Sequence, residues 1–116
     1  MNVKWKSKLG VHPQTGAVLN MQYVDEQAAG AMRNGSRIKK RNSEEGDSQV
    51  NGAKGTIIGS FATPKEMLGE KLEHEFFDKF GLPTHGYFVE WDALPGIIVG
   101  TTNLKVEPVD AEDAGK

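Results

Sequence analysis

The sequence contains no cysteine, so the chain can form no disulfide framework and offers no thiolate as a nucleophile or a metal ligand. It also has no apolar stretch long enough for a membrane span or for the core of a signal peptide. The first six residues already alternate apolar with polar side chains. From these two absences we expect a cytoplasmic protein with no membrane partner.

Hydrophobic residues are also few, at 37% of 116 residues, which is enough for one small core but not for two. The 14 glycines favour turns and short strands over long helices. Charge is uneven: residues 1–58 hold nine Lys or Arg against five Asp or Glu, and residues 59–116 hold five against eleven. This split predicts a basic face and an acidic face on one small body, with chance variation of a solvated surface as the alternative.

The most informative stretch is residues 86–106, which predicts three short strands with tight connections. Its first strand is β-branched or aromatic apart from Glu90. A period of two gives that strand two faces, with Tyr87, Val89 and Trp91 on one and Phe88, Glu90 and Asp92 on the other. Leu94-Pro95-Gly96 then predicts a type II turn, because proline pre-sets φ at the second position and glycine accepts a positive φ at the third.

The rest of the chain provides further short elements around this stretch. Residues 1–24 predict a hairpin, although a helix stays open for residues 17–24, and the alanine-rich segment 25–33 predicts a short helix. The predicted strands are 36–41, 54–61, 86–92, 97–101 and 104–107. The polar, glycine-punctuated segment 42–52 predicts a surface loop between the first two of them.

One clear helix is predicted for residues 64–80. Thr63, Pro64 and Glu66 have the pattern of a capping box with proline at the first helical position. The apolar stripe recurs every four residues and consists of Leu68, Leu72, Phe76 and Phe80, widened by Phe77. Burial of a phenylalanine contributes roughly 1.5–3 kcal/mol, so we expect this helix to cover the sheet.

Two short patterns carry a family resemblance. Gly35-x-x-Ile38 followed by Gly52-x-x-Gly55-Thr56-Ile57 is similar to KOW-type ribosomal and transcription-factor domains. The segment from Tyr87 to Asp92 is similar to the tyrosine–tryptophan strand of chromo and Tudor relatives. The resemblance covers residues 35–107 and implies a small SH3-like barrel of five strands. The long 42–52 loop and the inserted helix depart from those families, so the resemblance is carried over to the fold alone.

The sequence therefore predicts a mainly β protein with one helix. Its fold class is a small SH3-like five-stranded barrel, with a helix inserted between strands 2 and 3 and an extra N-terminal hairpin. Residues 1–34 form an N-terminal extension, 35–107 the barrel, and 108–116 a disordered acidic tail.

The first functional hypothesis is a non-catalytic protein-binding module, or an accessory subunit of a larger complex. Small barrels commonly take an extended segment along a strand edge or in an aromatic groove. The candidate binding residues are Tyr87, Phe88, Glu90, Trp91 and Asp92. Their acidic rim predicts a basic partner segment, while the oligomeric state stays open.

The second hypothesis is nucleic-acid binding, because cations meet phosphates and an aromatic side chain such as Trp5 can stack on a base. The candidate residues are Lys4, Lys6, Lys8, Arg37, Lys39, Lys40 and Arg41. The alternative for the first three is protection of an edge strand by lysines. A sequence pI near 5.9 also counts against a nucleic-acid partner.

The third hypothesis is a small enzyme or enzyme subunit that uses His85, Glu90 and Asp92 as acid–base residues. An outward-facing polar set explains these three side chains equally well. Glu70, His74 and Asp78 would form one row on the predicted helix, where a solvated acidic face is the simpler interpretation than a metal site. We therefore predict no catalytic residues, no metal and no cofactor.

Overall fold

The computed structural model describes residues 4–62 and 83–109. Seven strands lie in these residues: β1 (Lys6–Val11), β2 (Val18–Tyr23), β3 (Arg37–Lys40), β4 (Lys54–Ala62), β5 (His85–Trp91), β6 (Ile98–Thr102) and β7 (Val106–Pro108). The described part of the chain contains no helix, and hence none that could cross a membrane. The mainly β prediction is confirmed, and each predicted strand lies within two residues of an observed one.

The N-terminal hairpin is confirmed as a separate two-stranded sheet. Strand β1 pairs antiparallel with β2 in a register that places Val11 opposite Val18 and Lys8 opposite Met21. One face of the hairpin packs on the turn before β6. A Cβ on Gly10 would lie 2.6 Å from the carbonyl oxygen of Gly96, so only glycine allows this close approach.

The other five strands form one antiparallel sheet in the order β6-β5-β4-β3-β7. The turn between β5 and β6 has the predicted chemistry, since Ile97 N–H donates to Leu94 O at 3.1 Å and Gly96 has a φ of +82°. The register of β4 against β5 shifts between Ile57 and Gly59, which is a bulge.

The core lies on one face of this sheet. The predicted alternation of β5 explains which of its side chains point into that core. Tyr87, Val89 and Trp91 all point into the core together with Ile38 and Ile57. The hydroxyl of Tyr87 accepts a hydrogen bond of 3.0 Å from Met32 N–H, so the buried phenol is satisfied. Residues 31–32 thereby become part of the packing around β5.

The prediction of a closed five-stranded barrel is wrong. Within the described residues no ladder joins β6 to β7, so both are open edges of the sheet. Strand β7 has three residues and ends at Pro108, whose ring nitrogen has no proton to donate. Lys40, Lys105 and residues of the 42–52 loop lie beside β6, where they line a common cavity.

The predicted short helix at 25–33 is also wrong, because tertiary partners use the backbone groups that a helix needs. Glu26 O accepts from Ser60 N–H at 2.8 Å, and Met32 N–H donates to Tyr87. The segment instead runs as irregular chain beside β4, so its alanine content does not decide its structure.

Two predicted elements lie wholly or largely outside the described residues. The helix at 64–80 falls in the gap between residues 62 and 83. Of the predicted tail 108–116, only residues 108 and 109 are described, and Val109 N–H donates to Arg37 O at 3.2 Å. Pro108 therefore ends β7, and Val109 follows the strand with a hydrogen bond to β3.

Candidate functional site

The residues predicted to bind a protein through β5 are mostly buried. Tyr87 and Trp91 are 3% and 1% exposed, and Phe88 packs against Phe61 with ring centroids 5.7 Å apart. Glu90 is half-buried and accepts a hydrogen bond of 3.0 Å from Gly96 N–H, which fixes the turn before β6. The three aromatic rings therefore offer almost no surface to a partner.

Asp92 is the exposed member of that set, and it forms an ion pair. Arg37 Nη1 and Nη2 lie 2.8 and 2.5 Å from its two carboxylate oxygens. This two-pronged contact lowers the pKa of Asp92 and raises that of Arg37, although both groups are exposed and solvent screens the pair.

The seven basic residues predicted to bind nucleic acid do not form one surface. Alternation along β3 places Arg37 and Lys39 on one face and Lys40 on the face of the core. Lys6 lies on the separate hairpin and pairs with Asp25 at 2.6 Å. The remaining members, Lys4 and Lys8, are exposed on that hairpin, and Arg41 donates to a backbone carbonyl.

The predicted acid–base residues do not converge either. His85 begins β5, whereas Glu90 is near its end, and five residues of strand separate Cα atoms by roughly 17 Å. The Nε2 atom of His85 lies 2.9 Å from Ala29 O. Within the described residues no three His, Asp or Glu side chains could hold a metal together, and Glu70, His74 and Asp78 lie outside them.

The outer face of the hairpin carries an exposed aliphatic surface that the sequence analysis did not assign to binding. Leu9 is 68% exposed, Val11 58% and Val18 68%. Val11 and Val18 are cross-strand partners, and Leu9 is two residues along β1 on the same face. We call these three residues the aliphatic triad.

Beside the triad, the outer edge of β1 has backbone groups that no other described strand pairs with. His12 N–H donates to Ala17 O, which makes that pair a hydrogen-bonded one. Bonded and non-bonded pairs alternate in an antiparallel ladder, so the N–H and C=O groups of Ser7, Leu9 and Val11 point away from β2. Among the described residues, β1 pairs with β2 alone.

A second feature is a buried ion cluster beneath the 42–52 loop. Lys40 Nζ lies 2.6 Å from Asp47 Oδ2, and Lys105 Nζ lies 3.0 Å from the same oxygen and 2.9 Å from Glu44 Oε2. Burial by itself raises the pKa of Asp47, but hydrogen bonds from Lys40, Glu44 N–H and Lys105 outweigh it and lower the pKa to about 2. The four charged side chains hold the loop on the sheet.

The sequence contained one usable signal for each feature. For the cluster, the period of two already placed Lys40 on the same face as the inward Ile38. For the aliphatic triad, Val11 and Val18 flank the turn at equal distance from its centre, which makes them cross-strand partners in a symmetric hairpin. No protein-family model matches the chain, and no curated protein or solved structure is detectably similar to it.

Proposed function

We propose that the protein is a non-catalytic protein-binding module that takes an extended, acidic segment of a partner along β1. The observation that carries this proposal is the coincidence of the aliphatic triad with the open edge of the same strand. An open edge offers backbone hydrogen bonds, and adjacent apolar side chains give the added strand a surface to cover.

The electrostatics favour an acidic segment. Lys4 and Lys8 are exposed on the same strand region as the triad. The carboxylate of Asp25 neutralises Lys6 but reaches neither of the other two lysines in the described contacts. A partner strand with alternating acidic and apolar residues would place carboxylates beside the lysines and its apolar residues over the triad.

The same lysines disfavour a second copy of this chain as the occupant. Antiparallel pairing of β1 with another β1 would bring two lysine-bearing edges together, and like charges across a strand pair are destabilising. The hydrogen-bond pattern supports a strand rather than a nucleic-acid backbone, because a phosphate chain cannot continue the ladder at Ser7, Leu9 and Val11.

The test uses a terminally blocked peptide that alternates glutamate with valine, and a matched peptide that alternates lysine with valine. Amide hydrogen exchange measured by NMR should slow at Ser7, Leu9 and Val11 on addition of the glutamate peptide. The amides of Lys8 and Gly10 already point towards β2, so their exchange should change much less. The affinity should fall as salt is added.

Variants separate the triad from exposed apolar residues in general. Val18→Ser should weaken binding of the glutamate peptide roughly tenfold, because it removes apolar area from the interface and leaves the charge of the hairpin unchanged. The matched control is Val50→Ser, which changes a valine of 72% exposure in the 42–52 loop and should leave the affinity unchanged.

Three results would contradict the proposal. Equal binding of both peptides would remove the acidic preference. Protection that depends on protein concentration without peptide would identify a second copy as the occupant. Binding of a single-stranded oligonucleotide that is tighter than the glutamate peptide, with no added protection at the three outward amides, would favour nucleic acid.

A further inference from the structure

A cavity of about 280 Å³ opens beside the buried ion cluster, at the gap where the five-stranded sheet fails to close. Strand β3 contributes Lys40 to its wall, β6 contributes Val99 and Thr101, and the end of β5 contributes Trp91. The 42–52 loop supplies Asp47 and Ser48. The cavity thus combines an apolar side with a polar end, the usual composition of a small-molecule site.

The ammonium of Lys40 carries unused hydrogen-bond donors at the polar end. Its side chain is 5% exposed, and an ammonium can donate three hydrogen bonds. Within the described contacts, Lys40 donates only to Asp47. Lys105 differs, since its Nζ reaches Asn42 O, Glu44 Oε2 and Asp47 Oδ2 at 2.9–3.0 Å. Two of the three N–H groups of this nearly buried ammonium therefore have no described hydrogen-bond acceptor.

Asp47 presents the complementary acceptor. All its described hydrogen bonds, from Lys40, Lys105 and Glu44 N–H, end on Oδ2. Its other oxygen, Oδ1, accepts no described hydrogen bond. A donor and an acceptor thus lie side by side on the Lys40–Asp47 pair, at the wall of the same cavity.

The charge of the cluster limits what can bind. Lys40 and Lys105 balance Asp47 and Glu44, so these four groups sum to zero net charge. A buried anion or cation would lack a counter-charge, whereas an uncharged group that both accepts and donates would meet the free positions on both partners. A carboxamide carries an accepting carbonyl oxygen and a donating N–H₂ group on one carbon, so it can serve both positions with one uncharged group.

We propose that this cavity binds a small uncharged molecule that carries a carboxamide group. Its carbonyl oxygen accepts from Lys40 Nζ, its amide N–H donates to Asp47 Oδ1, and its apolar body lies against Val99 and Trp91. The site is distinct from the hairpin surface, and the inference does not depend on the proposed function. The ligand's carboxamide can belong to a free metabolite or to an Asn or Gln side chain of a partner.

The experiment compares three probes with the same apolar body: benzamide, benzoate and benzylammonium. Titration of the full chain is followed by NMR at the Trp91 indole N–H and the Thr101 amide. Benzamide should give saturable shifts at both positions, with an affinity at least tenfold higher than that of either charged probe. A short blocked peptide containing glutamine forms a fourth arm, which distinguishes a side-chain source from a free small molecule.

Two variants and a matched control locate the site. Lys40→Met removes the donors and should lower the benzamide affinity about tenfold, while Lys39→Met, on the opposite face of β3, should leave it unchanged. Thr101→Phe should block the cavity without removing a member of the ion cluster, which keeps the test valid if Lys40→Met does not fold. Tighter binding of benzoate than of benzamide, or no saturable shift with benzamide, would overturn the proposal.

Discussion

Lys40 Nζ lies 2.6 Å from Asp47 Oδ2, and this contact joins the end of a core strand to the middle of a polar loop. Lys40 is 5% exposed, and its partner also accepts from Lys105. Asp47 therefore contacts both nearly buried cations, whereas Glu44 contacts Lys105 alone, so Asp47 is the carboxylate shared by the whole cluster.

The first prediction concerns removal of that carboxylate charge. Asp47→Asn leaves Lys40 without an anionic partner in a nearly buried position, so we expect the free energy of unfolding to fall by about 2–3 kcal/mol. Urea denaturation measures it. Glu45→Gln, at an exposed position of the same loop, is the matched control and should change the stability by less than about 0.5 kcal/mol. Equal effects of the two substitutions would show that the cluster does not hold the loop.

The second prediction is a pH dependence with a defined sign. The pKa of Asp47 is lowered to about 2 in the folded chain, against about 3.9 for an unfolded aspartate. The contribution of the Asp47 carboxylate is therefore complete above about pH 5 and is lost as pH falls through about 2, by roughly 2 kcal/mol. Stability curves of the wild type and Asp47→Asn should converge over this interval. Parallel curves would contradict the assigned pKa.

The third prediction concerns the close approach of two chain segments at Gly59. A Cβ there would lie 1.9 Å from Val24 O and 2.7 Å from Asp25 Cα, both backbone atoms that cannot rotate away. Gly59→Ala should therefore cost about 3 kcal/mol or prevent folding. Gly100→Ala is the control, since its Cβ would lie 3.6 Å from the Phe88 ring, an ordinary contact. Thermal unfolding that gives equal midpoints for both variants would contradict this packing.

The fourth prediction is a small effect. The ion pair of Arg37 and Asp92 joins side chains that are 41% and 56% exposed, so solvent and salt screen it. A double-mutant cycle with Arg37→Gln and Asp92→Asn should give a coupling energy below about 1 kcal/mol, smaller still at high salt. A coupling above about 2 kcal/mol would mean that the pair is more shielded than its exposure indicates.

Local pattern was sufficient for the strands but not for their closure. The alternation in 87–91 predicted which side chains face the core, and Pro95 with Gly96 predicted the turn, because both depend on the geometry of neighbouring residues. Whether β6 meets β7 depends on residues far apart in sequence. A cavity lined by Lys40, Lys105 and a loop whose acidic residues have no periodic signal lies beside β6.

The candidate sites were less predictable, because exposure is a property of the whole fold. Aromatic residues on β5 resembled a binding surface in sequence but form the core, and the lysines of one basic run point to opposite faces. The aliphatic triad has the composition of an ordinary strand. Only the packing of the opposite hairpin face against the turn at Gly96 leaves the triad uncovered within the described structure.

The sequence by itself determined where the chain extends, where it turns, and which face of β5 is apolar, since backbone sterics and side-chain periodicity act over a few residues. Tertiary structure decided that the sheet stays open, that residues 25–33 form no helix, and that Lys40 is buried. The last two outcomes depend on contacts between groups that are not neighbours in the sequence, namely Ser60 N–H with Glu26 O and Lys40 with Asp47. Such a bond becomes favourable only after folding has removed both groups from water.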